Sequence, residues 1–423
     1  PNSHVQVALT IIRAQSGLQA LCQQSLHPPA HGCKRPFKGC AAMVHSAGFG
    51  ADGVLAGGPA NSRFVKIRDL SRGAYGCVVL ALNTQTGQQV ALKFIERGKE
   101  NISSKYVERE IINHMKLRHP HIVELQEVFL TNTHLVLVLE YAPGGDLAEY
   151  VTKHRGLPED VGRWFFQQLV IAVDYLHRMG VTSRDIKLEN TLLDCSPRPL
   201  IKLSDFGFSK DTNVQSAPSS RVGTPAYLAP EVISNKPGET TYDGMKADIW
   251  SCGVALYAML LNTYPFRRPE DDLLVPNQKL HAMLTRALRA DYAFPPDRPL
   301  SPGVKDLIGR MLVLDPSKRA SLQEIQRHPW FLEAINPAAL RFNDKIVEES
   351  MARQLPAELL EGVREVVKAA SEKPGAPEAS TPDAVDADSA DLQGEEEDCA
   401  DDAGCDAAAE EDEEDDATWE FAK

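Results

Sequence analysis

Six charged or amide side chains occur in an order that suits transfer of the γ-phosphate of ATP. In chain order they are Lys93, Glu110, Asp185, Lys187, Asn190 and Asp205. A lysine can bind phosphates, a carboxylate can accept the proton of an attacking hydroxyl, and amide and carboxylate oxygens are ligands for Mg²⁺. Because two unrelated polar loops would rarely produce this order and spacing, the sequence predicts a phosphoryl-transfer site that uses ATP and Mg²⁺.

The segment 183–190, Ser-Arg-Asp-Ile-Lys-Leu-Glu-Asn, supplies the candidates for the catalytic step. Asp185 would orient the acceptor hydroxyl and take its proton, and Lys187 would neutralise charge on the transferred phosphoryl group. Asn190 and Asp205, the first residue of an Asp-Phe-Gly triplet, would hold Mg²⁺. The predicted activity is phosphorylation of a hydroxyl group.

Lys93 ends the apolar run Val-Ala-Leu-Lys, which predicts a strand with the lysine facing inward. A buried ammonium group requires an anion, and the α- and β-phosphates of ATP would provide one. Glu110 would hold the ammonium group in place. Glu108 is the competing carboxylate, although two residues away it points to a different face of the predicted helix.

A glycine-rich segment, 71–78, lies between two predicted strands. Gly73 and Gly76 would let backbone amides approach phosphates. Ser71 stands where the pattern Gly-x-Gly-x-x-Gly has its first glycine. An ordinary hairpin turn is therefore the alternative interpretation.

The first elements that must position these residues are mainly strands. Alternating apolar residues predict strands at 77–82 and 89–94, joined as an antiparallel hairpin, and a further strand at 135–139. Helical spacing at 106–115 predicts the helix that carries Glu110. Together they predict a small β-rich lobe over residues 63–141.

A helical lobe is predicted over residues 146–331. The segments 161–179 and 246–261 are apolar on most sides, as buried central helices are. The predicted fold class is therefore α+β, with two lobes between flanking tails.

The flanking segments differ sharply in charge. Residues 371–423 hold 21 Asp and Glu and carry a net charge of −19, which leaves +5 on the rest of the chain. This composition predicts a disordered acidic tail. A disordered extension is also predicted at 1–62, in preference to a transit peptide. Between domain and tail, 332–370 predicts a linker and an amphipathic helix at 356–370 that needs a surface to pack on.

Composition also argues against several function classes. The longest nearly apolar stretch, 249–261, is thirteen residues, too short for a bilayer, and no Cys-x-x-Cys pair suggests a zinc site. We expect no binding to membranes or nucleic acid, and we expect a monomer. The expected location is the cytoplasm, the nucleus or both, with organelle targeting by residues 1–60 as the alternative.

These motifs resemble those of eukaryotic protein kinases over about residues 64–331. Gly-Thr-Pro-Ala-Tyr at 223–227, which contains Thr224, is similar to the segment that receives the substrate in serine/threonine-type members, and Ala-Pro-Glu follows at 229–231. The resemblance implies the bilobal protein kinase fold and serine/threonine kinase activity.

The resemblance also implies further site residues. Glu231 would pair with Arg319, and Asp248 would be the buried aspartate that anchors the loop at 183–190. The implied contacts with the nucleotide, besides Lys93 and Asp205, are Ser71, Gly73, Gly76, Val78, Ala91, Leu139, Glu140 and Asp146.

A closer resemblance is to the plant sucrose-non-fermenting-related kinases of subfamily two, which osmotic stress and abscisic acid activate. Phe-Ile-Glu-Arg-Gly at 94–98 and Leu-Glu-Asn-Thr-Leu-Leu-Asp at 188–194 are similar to its signature phrases. The resemblance implies that helix 356–370 packs on the helix carrying Glu110 and favours the active state. It also implies that the acidic tail docks type 2C protein phosphatases.

Substrate choice and activation can be predicted from charge. Asp146 and Glu189 resemble carboxylates that pair with an arginine three residues before the phosphoacceptor, so we expect protein substrates with Arg upstream of Ser or Thr. The alternative is that Asp146 bonds only the ribose. Arg184 places a cation beside Asp185 and predicts an anion opposite. The candidate phosphorylation sites are Ser216, Ser219 and, preferred, Ser220; a flexible polar loop is the alternative.

Ser183 departs from the kinase pattern, in which a histidine packs against Phe206. The lost volume predicts a weakened or more conditional active state that relies on helix 356–370. Two alternatives to an active enzyme remain at this point. One is a pseudokinase that holds nucleotide and scaffolds phosphatases, motivated by Ser71 and Ser183. The other is a binder of basic proteins through residues 391–420.

Overall fold

The computed structural model describes residues 55, 61–73, 76–98, 104–205, 225–235 and 242–372. All of them belong to one compact unit, Pro1–Gly375. They form a β-rich lobe, then a helical lobe, and then a helical segment that returns to the β-rich lobe. The predicted α+β fold with two lobes is confirmed.

The β-rich lobe is built on a five-stranded antiparallel sheet of order β1-β2-β3-β5-β4. Its strands are β1 (Phe64–Gly73), β2 (Gly76–Asn83), β3 (Gln88–Glu96), β4 (Leu125–Leu130) and β5 (His134–Glu140). The strands predicted at 77–82, 89–94 and 135–139 lie within β2, β3 and β5. Gly87 has a φ of 71° in the β2–β3 connection, a conformation that glycine adopts at little cost.

Each face of this sheet buries apolar side chains. Val79, Leu92 and Phe94 pack with Phe64 on one face. On the other face lies helix α1 (Ser104–Lys116), whose apolar residues recur every four positions and pack among the buried residues of β4 and β5. The helix predicted at 106–115 is therefore present, and it carries Glu110 along the sheet.

The helical lobe surrounds two central helices. Its helices are α2 (Leu147–His154), α3 (Glu159–Arg178), α4 (Pro230–Ile233), α5 (Gly244–Leu261), α6 (Pro276–Ala287), α7 (Pro302–Met311), α8 (Leu322–Arg327) and α9 (Pro329–Leu332). Short strands β6 (Thr191–Leu193) and β7 (Ile201–Leu203) pair antiparallel. Helix α5 is buried almost throughout, as its apolar sequence requires, and Asp243 caps its amino end by accepting the Met245 N–H at 2.9 Å.

Residues 332–355, predicted as a linker, contain α10 (Pro337–Leu340) and α11 (Phe342–Ala352). The buried Asn343 side chain fixes α11 by donating to Asp174 Oδ2 at 2.7 Å and to the Ile171 carbonyl at 2.8 Å. Polar anchors of this kind leave no apolar periodicity in the sequence. The stretch predicted as a linker therefore contains two short helices.

The last described helix, α12 (Ala357–Ser371), corresponds to the helix predicted at 356–370. Its buried residues Leu359, Val363 and Val367 join the apolar cluster formed by α1, β4 and β5. The predicted contact with the helix that carries Glu110 is present. None of the helices in the described ranges is long and apolar enough to cross a membrane.

Candidate active site

A buried carboxylate fixes the turn that follows α3. Asp248 of α5 is 1% exposed, and its carboxylate accepts the backbone N–H groups of Ser183 and Arg184 at 2.9 and 2.8 Å. His177 Nε2 donates to the same carboxylate at 2.8 Å. Arg184 has a φ of 59°, a left-handed conformation that costs energy in a residue with a Cβ. Three donors on one aspartate hold this turn and set the position of Asp185.

Asp185 lies at the centre of a hydrogen-bonded group. Lys187 Nζ donates to Asp185 Oδ2 at 2.6 Å, and Asn190 Nδ2 donates to the same oxygen at 2.7 Å. The Asn190 amide also donates to the Asp185 carbonyl at 3.0 Å. The Asp185 side chain remains 40% exposed. The predicted base, cation and amide are thus brought together, with the carboxylate open to solvent on one side.

Lys93 and Asp205 join the two lobes. Lys93 Nζ, on β3, forms an ion pair with the Asp205 carboxylate just after β7. Ser204 donates both its N–H and its hydroxyl to the Asn190 carbonyl, at 2.8 and 3.0 Å, so Asp205 follows a residue bound to Asn190. Asp205 has a φ of 54°, a second left-handed residue at this site. The lysine, the metal-binding candidates and Asp185 therefore form one constellation.

The oxygen donors of this constellation suit Mg²⁺. Asn190 directs its amide nitrogen at Asp185, and its amide oxygen makes no hydrogen bond within the described ranges. The Asp205 carboxylate, 46% exposed, already faces a cation, the Lys93 ammonium group. A carboxylate and an amide oxygen are hard ligands that Mg²⁺ prefers, usually together with phosphate oxygens.

The two carboxylates considered on α1 have different surroundings. Glu108 accepts a hydrogen bond from Arg364 Nε of α12 at 3.1 Å. Glu110, half-buried, lies on a different face of α1, one turn before His114. Because Glu108 is engaged with α12, Glu110 is the candidate that remains for supporting Lys93.

Apolar candidates for nucleotide contact share one face of the sheet with Lys93. Val78 pairs with Lys93 across the β2–β3 ladder, and Ala91 pairs with Leu139 across β3 and β5. Residues directly opposite or two apart along a strand lie on the same face. Three further candidates lie at the β1–β2 hairpin, where Gly73 pairs with Gly76 and Ser71 pairs with Val78.

Two carboxylates assigned to nucleotide contact have structural partners. Glu140 Oε1 binds Lys202 Nζ of β7 at 2.6 Å. Asp146 Oδ1 accepts the Glu149 N–H at 2.8 Å and so caps the amino end of α2. At Glu140 the backbone therefore remains as the candidate contact, whereas Asp146 keeps a second carboxylate oxygen beyond the cap.

The predicted Glu231–Arg319 pair is a bidentate ion pair. Arg319 Nη1 and Nη2 lie 2.7 and 3.0 Å from the two Glu231 carboxylate oxygens. Arg319 is buried and also donates to the carbonyls of Lys246 and Val313. The pair holds α4 against the start of α5 and the approach to α8.

Several predicted residues lie outside the described residues. They are Phe206, Ser216, Ser219, Ser220 and Thr224.

Comparison with known proteins decides the family. The protein kinase domain family matches residues 64–331. The chain belongs to the protein kinase family.

Curated relatives identify the type of kinase. The kinase is 43% identical to serine/threonine-protein kinase SRK2E of Arabidopsis thaliana over 314 residues, 74% of this chain and 83% of that protein. It is 46% identical to SRK2A of Physcomitrium patens over 280 residues, 66% of this chain and 77% of that protein. It is 41% identical to SAPK7 of Oryza sativa subsp. japonica over 320 residues, 76% and 86% of the two chains. The chain is therefore a serine/threonine protein kinase of the sucrose-non-fermenting-related subfamily two type.

A solved structure has the same fold. The crystal structure of Rad53 1–466 in complex with AMP-PNP aligns with a TM-score of 0.54 at 30% identity, covering 64% of this chain and 66% of that one. Together with the family match, this similarity means that the kinase belongs to a family that generally uses ATP and Mg²⁺.

Ser183, which departs from the family pattern, has a buried and unfavourable environment. Its side chain is 0% exposed, and its hydroxyl has no hydrogen-bond partner within the described part of the kinase. On α1, burial lowers the pKa of His114 to about 4, and its Nε2 donates to the Val123 carbonyl at 2.8 Å. The kinase thus carries a small, unsatisfied polar group beneath its catalytic turn.

The sequence patterns do not indicate two residues that hold side chains of the site in place. His177 is the third donor to Asp248, and Tyr264 contacts Glu189. Both act through contacts with residues more than seventy positions away, which no local spacing reveals. The histidine and the tyrosine become apparent only when α3, α5 and the catalytic turn are packed together.

Proposed function

We propose that this kinase transfers the γ-phosphate of ATP to serine and threonine hydroxyls with Asp185 as the acceptor of the hydroxyl proton. The observation that carries the proposal is the Asp185 carboxylate, exposed on one side and fixed on the other by Lys187 and Asn190. Lys187, held at 2.6 Å from Asp185, is close enough to neutralise charge on the phosphoryl group as it moves. The chain's own residues thereby orient the acceptor and remove its proton.

Asn190 and Asp205 would hold Mg²⁺, and Lys93 would exchange the Asp205 carboxylate for phosphate oxygens when ATP binds. When bound, the metal ion supplies charge neutralisation of the phosphate groups. Glu110 would keep Lys93 in place. Val78, Ala91 and Leu139 would cover the base, with Ser71, Gly73, Gly76, the Glu140 backbone and Asp146 around the phosphates and ribose.

The test of the catalytic assignment is phosphate transfer to a serine peptide by wild type and Asp185→Asn. We expect the variant to bind ATP as wild type does but to lose roughly a hundredfold or more in kcat, because a positioned base contributes about that much. Equal kcat values for the two proteins would overturn the role of Asp185.

We further propose that the kinase prefers an arginine three residues before the phosphoacceptor, held by Asp146 and Glu189. Glu189 lies in the 3₁₀ turn Leu188–Asn190, next to the residue that binds Asp185. A carboxylate at that place can accept a guanidinium group while the acceptor hydroxyl approaches Asp185. Peptides with and without this arginine test the preference.

Regulation by phosphorylation is a further part of the proposal. Arg184 lies beside Asp185 with its backbone held by Asp248, and a phosphate on Ser220, or on Ser216 or Ser219, would pair with its guanidinium group. Ser220→Ala should then lower activity, and unchanged activity would remove this assignment. By similarity to the curated relatives, we propose a role in stress signalling in the cytoplasm or nucleus, with type 2C phosphatases as partners of residues 371–423.

A further inference from the structure

Tyr264, three residues beyond the end of α5, lies against the turn that carries Glu189. Its hydroxyl donates to Glu189 Oε1 at 3.4 Å. Its ring meets the ring of Tyr227 edge-on, with centroids 5.5 Å apart. The Tyr227 hydroxyl accepts the backbone N–H of Leu188 at 3.2 Å. Two tyrosines from separate parts of the chain therefore enclose the turn Leu188–Asn190.

The backbone position of Glu189 is set by its neighbour Asn190. The orientation of the Glu189 carboxylate depends on contacts made by the side chain. Asn190, the next residue, is bound to Asp185, so the Glu189 Cα has a set position relative to the catalytic carboxylate. A glutamate side chain keeps several rotatable bonds, and holding it in one rotamer costs conformational entropy. The Tyr264 hydroxyl supplies a hydrogen bond that favours one orientation of the carboxylate.

Tyr264 is itself held in place. Asn262 ends α5 with a φ of 53°, and two residues after Tyr264 the buried Phe266 stacks on Trp250 with ring centroids 5.4 Å apart. The Tyr264 carbonyl accepts the Arg267 N–H at 3.2 Å. The hydroxyl is therefore presented to Glu189 from a short loop anchored on both sides.

Electrostatics keep both tyrosine hydroxyls protonated. Burial and, next, the charge of Glu189 raise the pKa of Tyr227 and the pKa of Tyr264 above the ordinary value. At neutral pH, Tyr264 is thus a hydrogen-bond donor and adds no charge of its own. Glu189 remains the anion that a cationic side chain would meet.

We propose that Tyr264 is a positioning residue for substrate selection, which orients the Glu189 carboxylate toward the guanidinium group of an arginine upstream of the phosphoacceptor. The inference rests on the proposed function, in which Glu189 and Asp146 bind that arginine. Paired hydrogen bonds between a guanidinium and a carboxylate need the carboxylate plane to be aligned. Tyr264 does not touch the reacting atoms, so its effect should be confined to substrates that carry the arginine.

The test compares wild type with Tyr264→Phe on two serine peptides that differ only in Arg or Ala three residues before the serine. Wild type should prefer the Arg peptide. Tyr264→Phe should reduce the ratio of the two kcat/KM values about threefold to tenfold, the range for one long hydrogen bond to a charged group. The loss should lie in KM for the Arg peptide, with kcat and the Ala peptide unchanged.

Tyr292→Phe is the matched control. The Tyr292 ring packs edge-on against Phe266 in the same lobe, with centroids 6.0 Å apart, and its hydroxyl makes no hydrogen bond within the described ranges. This variant should keep the wild-type preference. In a Glu189→Gln background, Tyr264→Phe should have no further effect, because the group it orients has lost its charge.

The possible failures point to different conclusions. If wild type does not distinguish the two peptides, the proposed substrate preference is wrong. If wild type prefers arginine and Tyr264→Phe keeps that preference, the positioning role of Tyr264 is wrong while the substrate preference stands. Equal losses on both peptides would assign Tyr264 to stability alone and would also overturn the inference.

Discussion

Individual side chains beneath the catalytic turn set how firmly the turn is held. Asp248 satisfies three donors, including the N–H of Ser183, but the Ser183 hydroxyl lies buried without a partner in the described part of the chain. An unsatisfied buried hydroxyl costs about 1–3 kcal/mol. The backbone N–H of Ser183 therefore stabilises the turn, whereas its buried hydroxyl destabilises it.

Replacing this hydroxyl tests that account. Ser183→Ala should raise the free energy of unfolding by about 1 kcal/mol, because it removes an unsatisfied polar atom at almost constant shape. Ser251→Ala is the matched control, since its hydroxyl donates to the Tyr227 carbonyl at 2.9 Å, and it should lower stability by a similar amount. Urea unfolding measures both. Equal destabilisation by the two changes would mean that Ser183 has a partner.

The sequence predicted the residues assigned to chemistry and, through the kinase resemblance, Asp248 as the anchor of their loop, but it did not predict His177 or Tyr264. Lys187, Asn190 and Asp185 lie within six residues of one another, so the contacts among them are local in sequence. His177 and Tyr264 reach the site across long stretches of chain. Their roles depend on how helices pack, and one sequence carries no direct signal of that.

Helix α12 packs on the helix that carries Glu110, and so links a distant part of the chain to the site. Its apolar residues join the cluster of α1, β4 and β5, and Arg97 Nη2 donates to the Ala369 carbonyl at 2.7 Å. Since α1 carries Glu110, a firmly packed α12 restrains the position of the carboxylate assigned to Lys93. The apolar spacing of residues 359–367 predicted α12. Helix α11 was not predicted, because it is anchored by polar contacts that leave no apolar periodicity in the sequence.

Detaching α12 should therefore reduce activity. Val363→Asp places a carboxylate in an apolar cluster where Val363 is 1% exposed, at a cost of several kcal/mol. We expect peptide phosphorylation to fall at least tenfold and protease cleavage to appear near residues 353–356. Lys368→Asp, on the exposed side of the same helix, should leave both unchanged. If the two variants behave alike, α12 does not support the active state.

Three histidines, His114 near the end of α1 and His119 and His121 in the turn before β4, should make the fold sensitive to acid. Burial lowers the pKa of His114 and His121 to about 4 and that of His119 to about 3, from 6.5. The unfolded chain therefore binds protons that the native chain does not, and stability is lost as pH falls from about 6.5 toward 4. Urea unfolding at pH 7, 6 and 5 should show this fall. His119→Gln should reduce the number of protons taken up on unfolding by about one, so that the free energy of unfolding depends less steeply on pH. A free energy of unfolding that does not change between pH 7 and 5 in wild type would contradict this expectation.

The whole molecule joins a small lobe, a large lobe and a helical segment that contacts both. Lys93 and Asp205 connect the lobes at the site, and α11 and α12 connect them elsewhere through Asn343 and the α1 cluster. The division of charge along the chain is a separate feature, because residues 371–423 alone carry the large negative charge. We therefore expect catalysis and partner binding to be separable.

Removing residues 373–423 tests that separation. Peptide phosphorylation by the truncated kinase should stay within about twofold of the full chain, because no residue assigned to catalysis lies in the tail. Binding to a type 2C phosphatase, measured by titration calorimetry, should weaken at least tenfold. Loss of catalysis with intact phosphatase binding would reverse the assignment.

Asp205 and its neighbours should form a working phosphoryl-transfer site rather than a nucleotide-binding scaffold. The most direct measurement is transfer of phosphate from ATP, with Mg²⁺ present, to a peptide bearing Arg three residues before Ser, by wild type and by Asp205→Ala. We predict steady transfer by wild type and a loss of at least a hundredfold in the variant, while Asp306→Ala, remote from the site, matches wild type. Equal transfer by wild type and Asp205→Ala would contradict the claim.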